Sequence, residues 1–457
     1  MEPILLRLAP VVLGILCAFP PVRAASLNFP VEYYKLPNGL RVTLSEDHTT
    51  PVVTVAVYYK IGFRVEPKDK TGFAHLFEHM MFQGSKNLGK MEFIRLVQSN
   101  GGILNGSTRF DFTNYFETLP SNKLETALWA EADRMRGLDI NQDNLKNQQG
   151  VVGNEVKVNV LNQPYGGFPW LDVPQVANSN YYNAHNFYGD LKDIEAATLT
   201  DVQDFFKTYY APNNASLVVV GDFTPSDAKS WVEKYFSNVP AHDQPPAADL
   251  TEPPQQKEKR VVHQDKLAQR PALAFAYHMP DKGTPEYYAM GLLDQLLLQG
   301  DDSLLRQELV KKRALTGSVS GGINLLGDMF NYNGPMLWTG FLFHDSNTTG
   351  DAIMQAVDTV INSVRENGVA EDQLGRARVK LRSGFLDTVS TGFGRADLLS
   401  AFALFDDRPQ KINELDQKFA DITPELMKKT AIEYLKPSNR TVLEIEPAAP
   451  AAQKGMN

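Results

Sequence analysis

Cysteine is all but missing: among 457 residues only Cys17 carries a thiol. A disulfide framework and thiolate metal sites are therefore excluded as sources of stability. Positive charge is not in excess either, with 45 Lys and Arg against 54 Asp and Glu and a net charge of −9. A surface that neutralises phosphates is excluded, and nucleic acid is not an expected partner. Apolar runs of the ~20 residues needed for repeated membrane spans are lacking as well. What is present is ordinary for a globular protein, 43% apolar and 22% charged. At about 150 residues per domain the length suggests several domains, large enough to bury cores without covalent staples.

The first 24 residues differ from the rest. Arg7 precedes an apolar run from Leu8 to Phe19, and Val22-Arg23-Ala24 forms a small-x-small site. Residues 1–24 read as a secretory signal peptide cleaved before Ala25. Leu16 stands before Cys17 where a lipoprotein signal needs a small residue, so no lipid anchor is expected. Cleavage removes the only thiol and leaves a chain suited to an oxidising compartment. A periplasmic location is expected, with no membrane attachment after cleavage.

Two stretches resemble each other. TLTDVQDFFKTYYAPNNASLVVVGDF (198–223) and DITPELMKKTAIEYLKPSNRTVLEIEP (421–447) each run from a threonine start through a helical pattern to Tyr, Pro-x-Asn and a β-rich run. The distance is 12 residues from Thr200 to Pro212 and 14 from Thr423 to Pro437, which implies a small insertion. An internal duplication follows. Residues 241–259, rich in Pro and charge, read as a surface linker between a half at 25–240 and a homologous half at 260–457. In the first half, 33–44 and 52–61 are expected as the strands of a hairpin, followed by helices at 73–82, 90–99, 123–137 and 144–161. In the second, a strand at 272–278 precedes helices near 285–298, 301–312, 349–367 and 371–389. The fold class is α+β, each half a mainly antiparallel sheet layered with helices.

The chemistry lies in GFAHLFEHMMFQGS (72–85). At helical spacing Phe73, Leu76, Phe77, Met80 and Met81 share one face, and His75, Glu78 and His79 share the other. Imidazoles at i and i+4 reach one ion. Glu78 points into the same space and can accept a proton without being a ligand. This is the inverted His-x-x-Glu-His pattern of zinc peptidases. A histidine pair that merely packs a core helix gives no reason for the Glu between them. Zinc needs a third ligand, and spacing leaves Glu125, Glu131 and Glu155 all open. His48, His185, His242, His263, His278 and His344 are scattered and read as surface or core residues.

Together with GGILNGSTRFDFTNYFETLP (101–120), the motif resembles the insulinase/pitrilysin family of zinc peptidases, and most the branch of mitochondrial processing peptidase and its bacterial relatives. The resemblance spans nearly the whole chain after the signal. It implies one Zn²⁺ per chain held by His75, His79 and Glu155, which stands 76 residues beyond His79. Glu78 is implied as the general base. Where relatives often carry a supporting Glu, this chain has the neutral Gln148. Asn105, Gly106, Ser107 and Thr108 are implied to lie on an edge strand that binds peptide substrates through backbone hydrogen bonds. A plain turn or bulge role for Gly101, Gly102 and Gly106 is the alternative.

The family's second half normally supplies an Arg and a Tyr in a segment like L-R-x-K-x-x-L-x-Y. Residues 309–317 read LVKKRALTG, with Val310 and Gly317 at those positions. The resemblance therefore implies the zinc-bearing subunit of a heterodimer, completed by a homologous subunit that brings Arg and Tyr. The implied activity is hydrolysis of peptides or unfolded segments inside a chamber. The alternative is a non-catalytic scaffold or peptide-binding subunit of the same family.

Overall fold

The structure is a computed structural model that describes residues 28–448. The expected signal peptide lies outside the described residues. Two sheets organise the α+β fold. The first holds β1 (Glu32–Lys35), β2 (Arg41–Glu46), β3 (Val52–Tyr59), β4 (Ile103–Thr108), β5 (Thr113–Pro120) and β6 (Ala215–Gly221), in the order β1-β2-β6-β3-β5-β4. The second holds β7 (Lys259–Asp265), β8 (Ala272–His278), β9 (Ser320–Ile323), β10 (Leu337–Phe343) and β11 (Arg440–Pro447), in the order β7-β11-β8-β10-β9. In each sheet one pair is parallel, β2 with β6 inside the first and β7 with β11 at an edge of the second, and the other pairs are antiparallel.

The duplication is visible down to side chains. Asn214 Nδ2 donates to Tyr209 O at 2.9 Å and to Lys60 O at 3.4 Å. Asn439 Nδ2 repeats this with Tyr434 O at 2.8 Å and His278 O at 3.0 Å. The implied insertion is corrected. The helix Leu199–Tyr209 is capped by Thr198, whose side chain accepts from Asp201 N, and the helix Pro424–Tyr434 is capped by Thr423. Counted from the caps, both spacings to Pro are 14. Thr200 had only imitated a cap.

The expected hairpin is also corrected. The stretch 33–44 is broken by a turn at Pro37-Asn38-Gly39, where Gly39 takes φ +87°, so β1 and β2 form the hairpin. β2 and β3 do not pair, because β6 lies between them. Every residue of β6 is buried, and such a strand belongs in the sheet centre. The helix expected at 144–161 runs as Gln142–Val156 and ends in a π-helical turn, Lys157–Leu161. That expected at 301–312 is a short turn, Leu304–Arg306, continued by a π-helical Gln307–Lys312.

Both faces of each sheet are covered, and each half covers one face of the other. In β3, Val53, Val55 and Val57 pack with Phe73, Leu76 and Phe77 on one side, while Ala56 and Tyr58 join Leu398 and Phe402 on the other. Those last two belong to the helix Gly392–Asp406 of the second half. Tyr58 OH donates to Asp397 Oδ1 at 2.6 Å, and Phe116 stacks on Phe393 with ring centroids 3.8 Å apart. In return Phe168, Val173 and Ala177 of the first half pack on Ala272, Ala274, Leu443 and Ile445 of the second sheet. Each fully buried Leu or Phe contributes about 1.5–3 kcal/mol, so the exchange fixes the halves against each other. Residues 240–258 hold neither helix nor strand. Glu252 ties them to Ser179 N, and Gln255 and Glu258 tie them to Arg440. Among the described residues no helix is long and apolar enough to cross a membrane.

Candidate metal centre and cleft

The helix α1 (Phe73–Met80) carries the motif. Its apolar face is fully buried, with Phe77 stacked on Phe205 and Tyr210. Gly72 starts it in a left-handed conformation, φ +82°, where a Cβ would stand 2.4 Å from Tyr188 O. The buried Glu66 carboxylate accepts from Gly72 N at 2.8 Å and Ala74 N at 2.5 Å, which satisfies free N–H groups and suits the positive end of the helix. The helix starts close against Tyr188, and the rings of His75 and His79 stand side by side, centroids 4.9 Å apart.

Helix α4, counting α2 (Glu92–Ser99), α3 (Leu124–Arg136) and α4 (Gln142–Val156), brings Glu155 to the pair. Glu155 Oε1 lies 3.5 Å from His75 Nε2, and Oε2 lies 3.3 Å from His79 Nε2. Tyr188 OH donates to Glu155 Oε1 at 3.4 Å, with its ring against His75. Hydrogen bonds from His75 and His79 hold the Glu155 carboxyl well below the usual carboxylate range. Burial opposes charging of His79, but Glu155 outweighs it and raises the imidazole pKa. Of the three carboxylates left open by spacing, Glu155 alone reaches the histidines. Glu125 bonds Lys234 and Tyr235, and Glu131 is buried against Arg134. Gln148 is buried beside His79 and donates to Asn147.

One atom each from His75, His79 and Glu155 lies within 4.8 Å of the others. Two imidazoles and a carboxylate are the donor set of a three-ligand zinc site that keeps a fourth position open. The residues present therefore fit the metal that the motif implies.

Glu78 is not part of that cluster. Its Oε2 accepts from Thr108 Oγ1 at 2.7 Å. Thr108 ends β4, which forms the outer edge of the first sheet. Ser107 Oγ donates to Asn114 at 2.5 Å, Asn105 Oδ1 accepts from Gly106 N, and both Asn105 and Gly106 stand along the same edge. His75, Glu78, Ser107, Thr108 and Glu155 line a cleft of about 460 Å³. Its remaining walls are Arg109, Pro169, Trp170, Phe187 and Tyr188, with Leu325, Leu326 and Phe341 from the second half. The sequence reading had missed these residues. For Pro169, Trp170, Phe187 and Tyr188 the local signal is aromatic density at 168–188 without helical or strand periodicity.

The second half has a cleft of its own, of about 490 Å³. Gly291, Asp294 and Gln295, spaced like His75, Glu78 and His79, line it and offer no imidazole. Val310 and Gly317 lie outside the cleft of the first half. The nearby arginines are engaged, Arg313 with Glu308 at 2.6 Å and Arg306 with Asp301 at 3.1 Å.

Comparison with known proteins bears on the family and the fold. Residues 41–165 match the model of the insulinase family (peptidase family M16), and residues 196–381 match that of the peptidase M16 inactive domain. The chain is 28% identical over 426 residues to the zinc protease PqqE of Helicobacter pylori, covering 91% of this chain and 93% of that one. It is 20% identical to the mitochondrial-processing peptidase subunit beta of Saccharomyces cerevisiae, over 77% of each. The crystal structure of a protease from Helicobacter pylori matches with TM-score 0.85 at 26% identity, covering 92% of this chain and 100% of that one. The periplasmic protease PqqL from Escherichia coli shares the fold, with TM-score 0.73 at 16% identity over 94% of this chain and 50% of that one.

Proposed function

The chain belongs to the insulinase family of peptidases (M16), and from that premise we propose that it is a zinc-dependent metalloendopeptidase acting on peptides or unfolded segments. One observation carries the reading: His75, His79 and Glu155 converge, and His75 and Glu155 line an open cleft together with Glu78, which stands outside their cluster. Zn²⁺ held by those three residues would polarise the scissile carbonyl and acidify a water molecule. The peptide adds along the free edge of β4, at Asn105–Thr108, by backbone hydrogen bonds. Glu78, oriented by Thr108, takes a proton from water as its oxygen attacks the carbonyl carbon. It then passes that proton to the amine nitrogen as the C–N bond breaks. Gln148 supports His79 without adding negative charge.

The working unit is a heterodimer whose homologous partner supplies the Arg and Tyr absent at Val310 and Gly317. Two comparisons support pairing. One relative is named as a subunit, and PqqL has twice the span covered by this chain. We take residues 1–24 as an export signal to the periplasm, 25–240 and 260–457 as the two halves, and 241–259 as their connection. Hydrolysis of quenched peptides by the chain with its partner, before and after chelation, tests the reading. Turnover that survives complete zinc removal would reject it.

A further inference from the structure

The two sheets end in the edge strands β1, β4, β7 and β9. β1 is four residues long with a charged residue at each end, β9 is four residues with two glycines, and β4 carries the proposed substrate edge. Short or charged edges resist pairing with other chains. β7 is different. It runs for seven residues, and its centre Val261–Gln264 holds no Lys, Arg, Asp or Glu. Val262 in that centre is 49% exposed.

The duplication shows what β7 lacks. β2 and β7 occupy equivalent places, each parallel to the last strand of its half, β6 or β11. In the first sheet β1 covers the outer edge of β2, pairing Glu32 with Leu44 and Lys35 with Arg41. Among the described residues no strand covers β7. Ala448 N donates to Asp265 O at 2.9 Å, so Asp265 turns its backbone toward β11. Alternation then turns the N–H and C=O of Arg260, Val262 and Gln264 away from the sheet.

Side chains hold the strand on both faces. Lys259 Nζ donates to Ala177 O at 2.5 Å, and Asp265 Oδ2 accepts from Tyr165 N at 2.8 Å. On the other face Arg260 pairs with Asp351 and Glu444, and Gln264 Nε2 donates to Glu446 Oε2 at 2.6 Å. An edge already fixed in this way brings little ordering cost to pairing.

We propose that β7 is the docking edge for a second copy of this chain, β7 against β7, antiparallel about a twofold axis through Val262. The register is self-complementary. Val262 meets its own copy, and the two exchange both backbone bonds. Arg260 does the same with Gln264 of the second copy. Side by side, Lys259 faces Asp265, Val261 faces His263, and Arg260 faces Gln264, whose amide leans on Glu446. No like charges meet. A twofold axis at Arg260 would set two guanidinium groups against each other, so charge pins the register. The contact is isologous and closes at two copies. β7 lines neither cleft, so pairing leaves the lining of the metal site untouched.

Sedimentation velocity of the purified chain from about 1 to about 200 µM tests this, because one strand pair is small beside a standard interface and is expected to dissociate at micromolar concentrations. The chain should pass from one copy to two across that range. Val262→Lys sets two ammonium groups across the axis, and Val262→Pro removes an outward N–H that an edge strand can spare. Each should weaken association at least ~10-fold while the circular dichroism spectrum stays unchanged. In hydrogen exchange, the amides of Arg260, Val262 and Gln264 should exchange fast in the dilute chain and slow down as pairing proceeds. A chain that stays single at the highest concentration, or a dimer that neither variant weakens, would overturn the proposal. So would slow exchange of these amides in the dilute chain, since another segment would then already fill the edge. Slowing only on addition of the homologous partner would give the edge to that partner and reject the second copy.

Discussion

The Thr108 hydroxyl donates to the Glu78 carboxylate at 2.7 Å, joining the end of the edge strand to the middle of the metal-site helix. The strand proposed to bind substrate thus also orients the proposed base. Glu78→Gln should keep zinc and peptide binding while turnover falls by at least ~10²-fold, the usual scale for losing a general base. Thr108→Val should lower kcat by roughly ten-fold with little change in KM, since it frees Glu78 to rotate without removing it. Equal losses of zinc in either variant would contradict this division of roles.

Zinc analysis separates ligands from neighbours. The purified chain should hold about one zinc, His79→Ala should hold none, and Glu155→Gln should bind it more weakly. Gln148→Glu places a negative charge beside His79 and should tighten zinc binding ~10-fold, the lower end of effects seen for groups behind a ligand. Competition with a fluorescent chelator measures all four. A Glu155→Gln protein with unchanged affinity would move the third ligand elsewhere.

How much of this was legible beforehand differs by residue. The helix face of His75, Glu78 and His79 follows from local spacing alone. Glu155 did not, because Glu125, Glu131 and Glu155 are equivalent to periodicity and only tertiary packing sends the first to solvent and the second into the core. Thr200 and Thr198 look alike as caps in one dimension, and only the hydrogen bond to Asp201 N separates them. β6 entering between β2 and β3 is a pairing over more than 150 residues, which no window of sequence contains. Leu325 and Leu326 read as ordinary apolar residues of a loop. The loop that carries them is tied at Asn333 and Pro335 to Asp111 and Arg64, far away in the chain.

Arg64 and Asp111 are themselves a buried pair, Nε to Oδ1 3.3 Å, with side chains 1% and 4% exposed. Removing one partner strands the other charge in the interior, which typically costs 3–5 kcal/mol. Asp111→Ala should therefore lower unfolding stability by about 3 kcal/mol or more, read from urea denaturation. A loss under about 1 kcal/mol would mean that Arg64 finds another partner or solvent.

Asp294 makes stability depend on pH. Burial pushes its carboxyl from 3.8 up to about 6, with hydrogen bonds from Trp338 and Gln299 opposing. Between those values the folded chain binds the proton more tightly than the unfolded chain, so stability falls as pH rises. The contribution is fully present below about pH 4 and is lost above about pH 6, with an upper size of about 3 kcal/mol. Asn in its place can still accept from Trp338 Nε1 and does not titrate. Urea unfolding of wild type and Asp294→Asn at several pH values should show the variant gaining on wild type from pH 4 to pH 7. A constant difference across that range would place the titration elsewhere.

The last expectation concerns the partner. The arginines nearest Val310 and Gly317 do not stand in for the Arg and Tyr of the proposed partner, because Arg306 and Arg313 are tied to Asp301 and Glu308. A scissile carbonyl that is poorly oriented reacts slowly, and misplacement by about 1 Å can cost ~10²-fold. Two copies of this chain would bring two metal sites and no orienting pair. A homologous chain carrying Arg and Tyr would bring one. The chain alone should therefore bind zinc yet turn peptides over ~10²-fold more slowly than the mixed pair. Mutating the partner's Arg or Tyr should return the pair to the level of the single chain with zinc still in place. Turnover by the isolated chain equal to that of the mixture would show that Arg109 and Tyr188, which already line the cleft, orient the substrate from within.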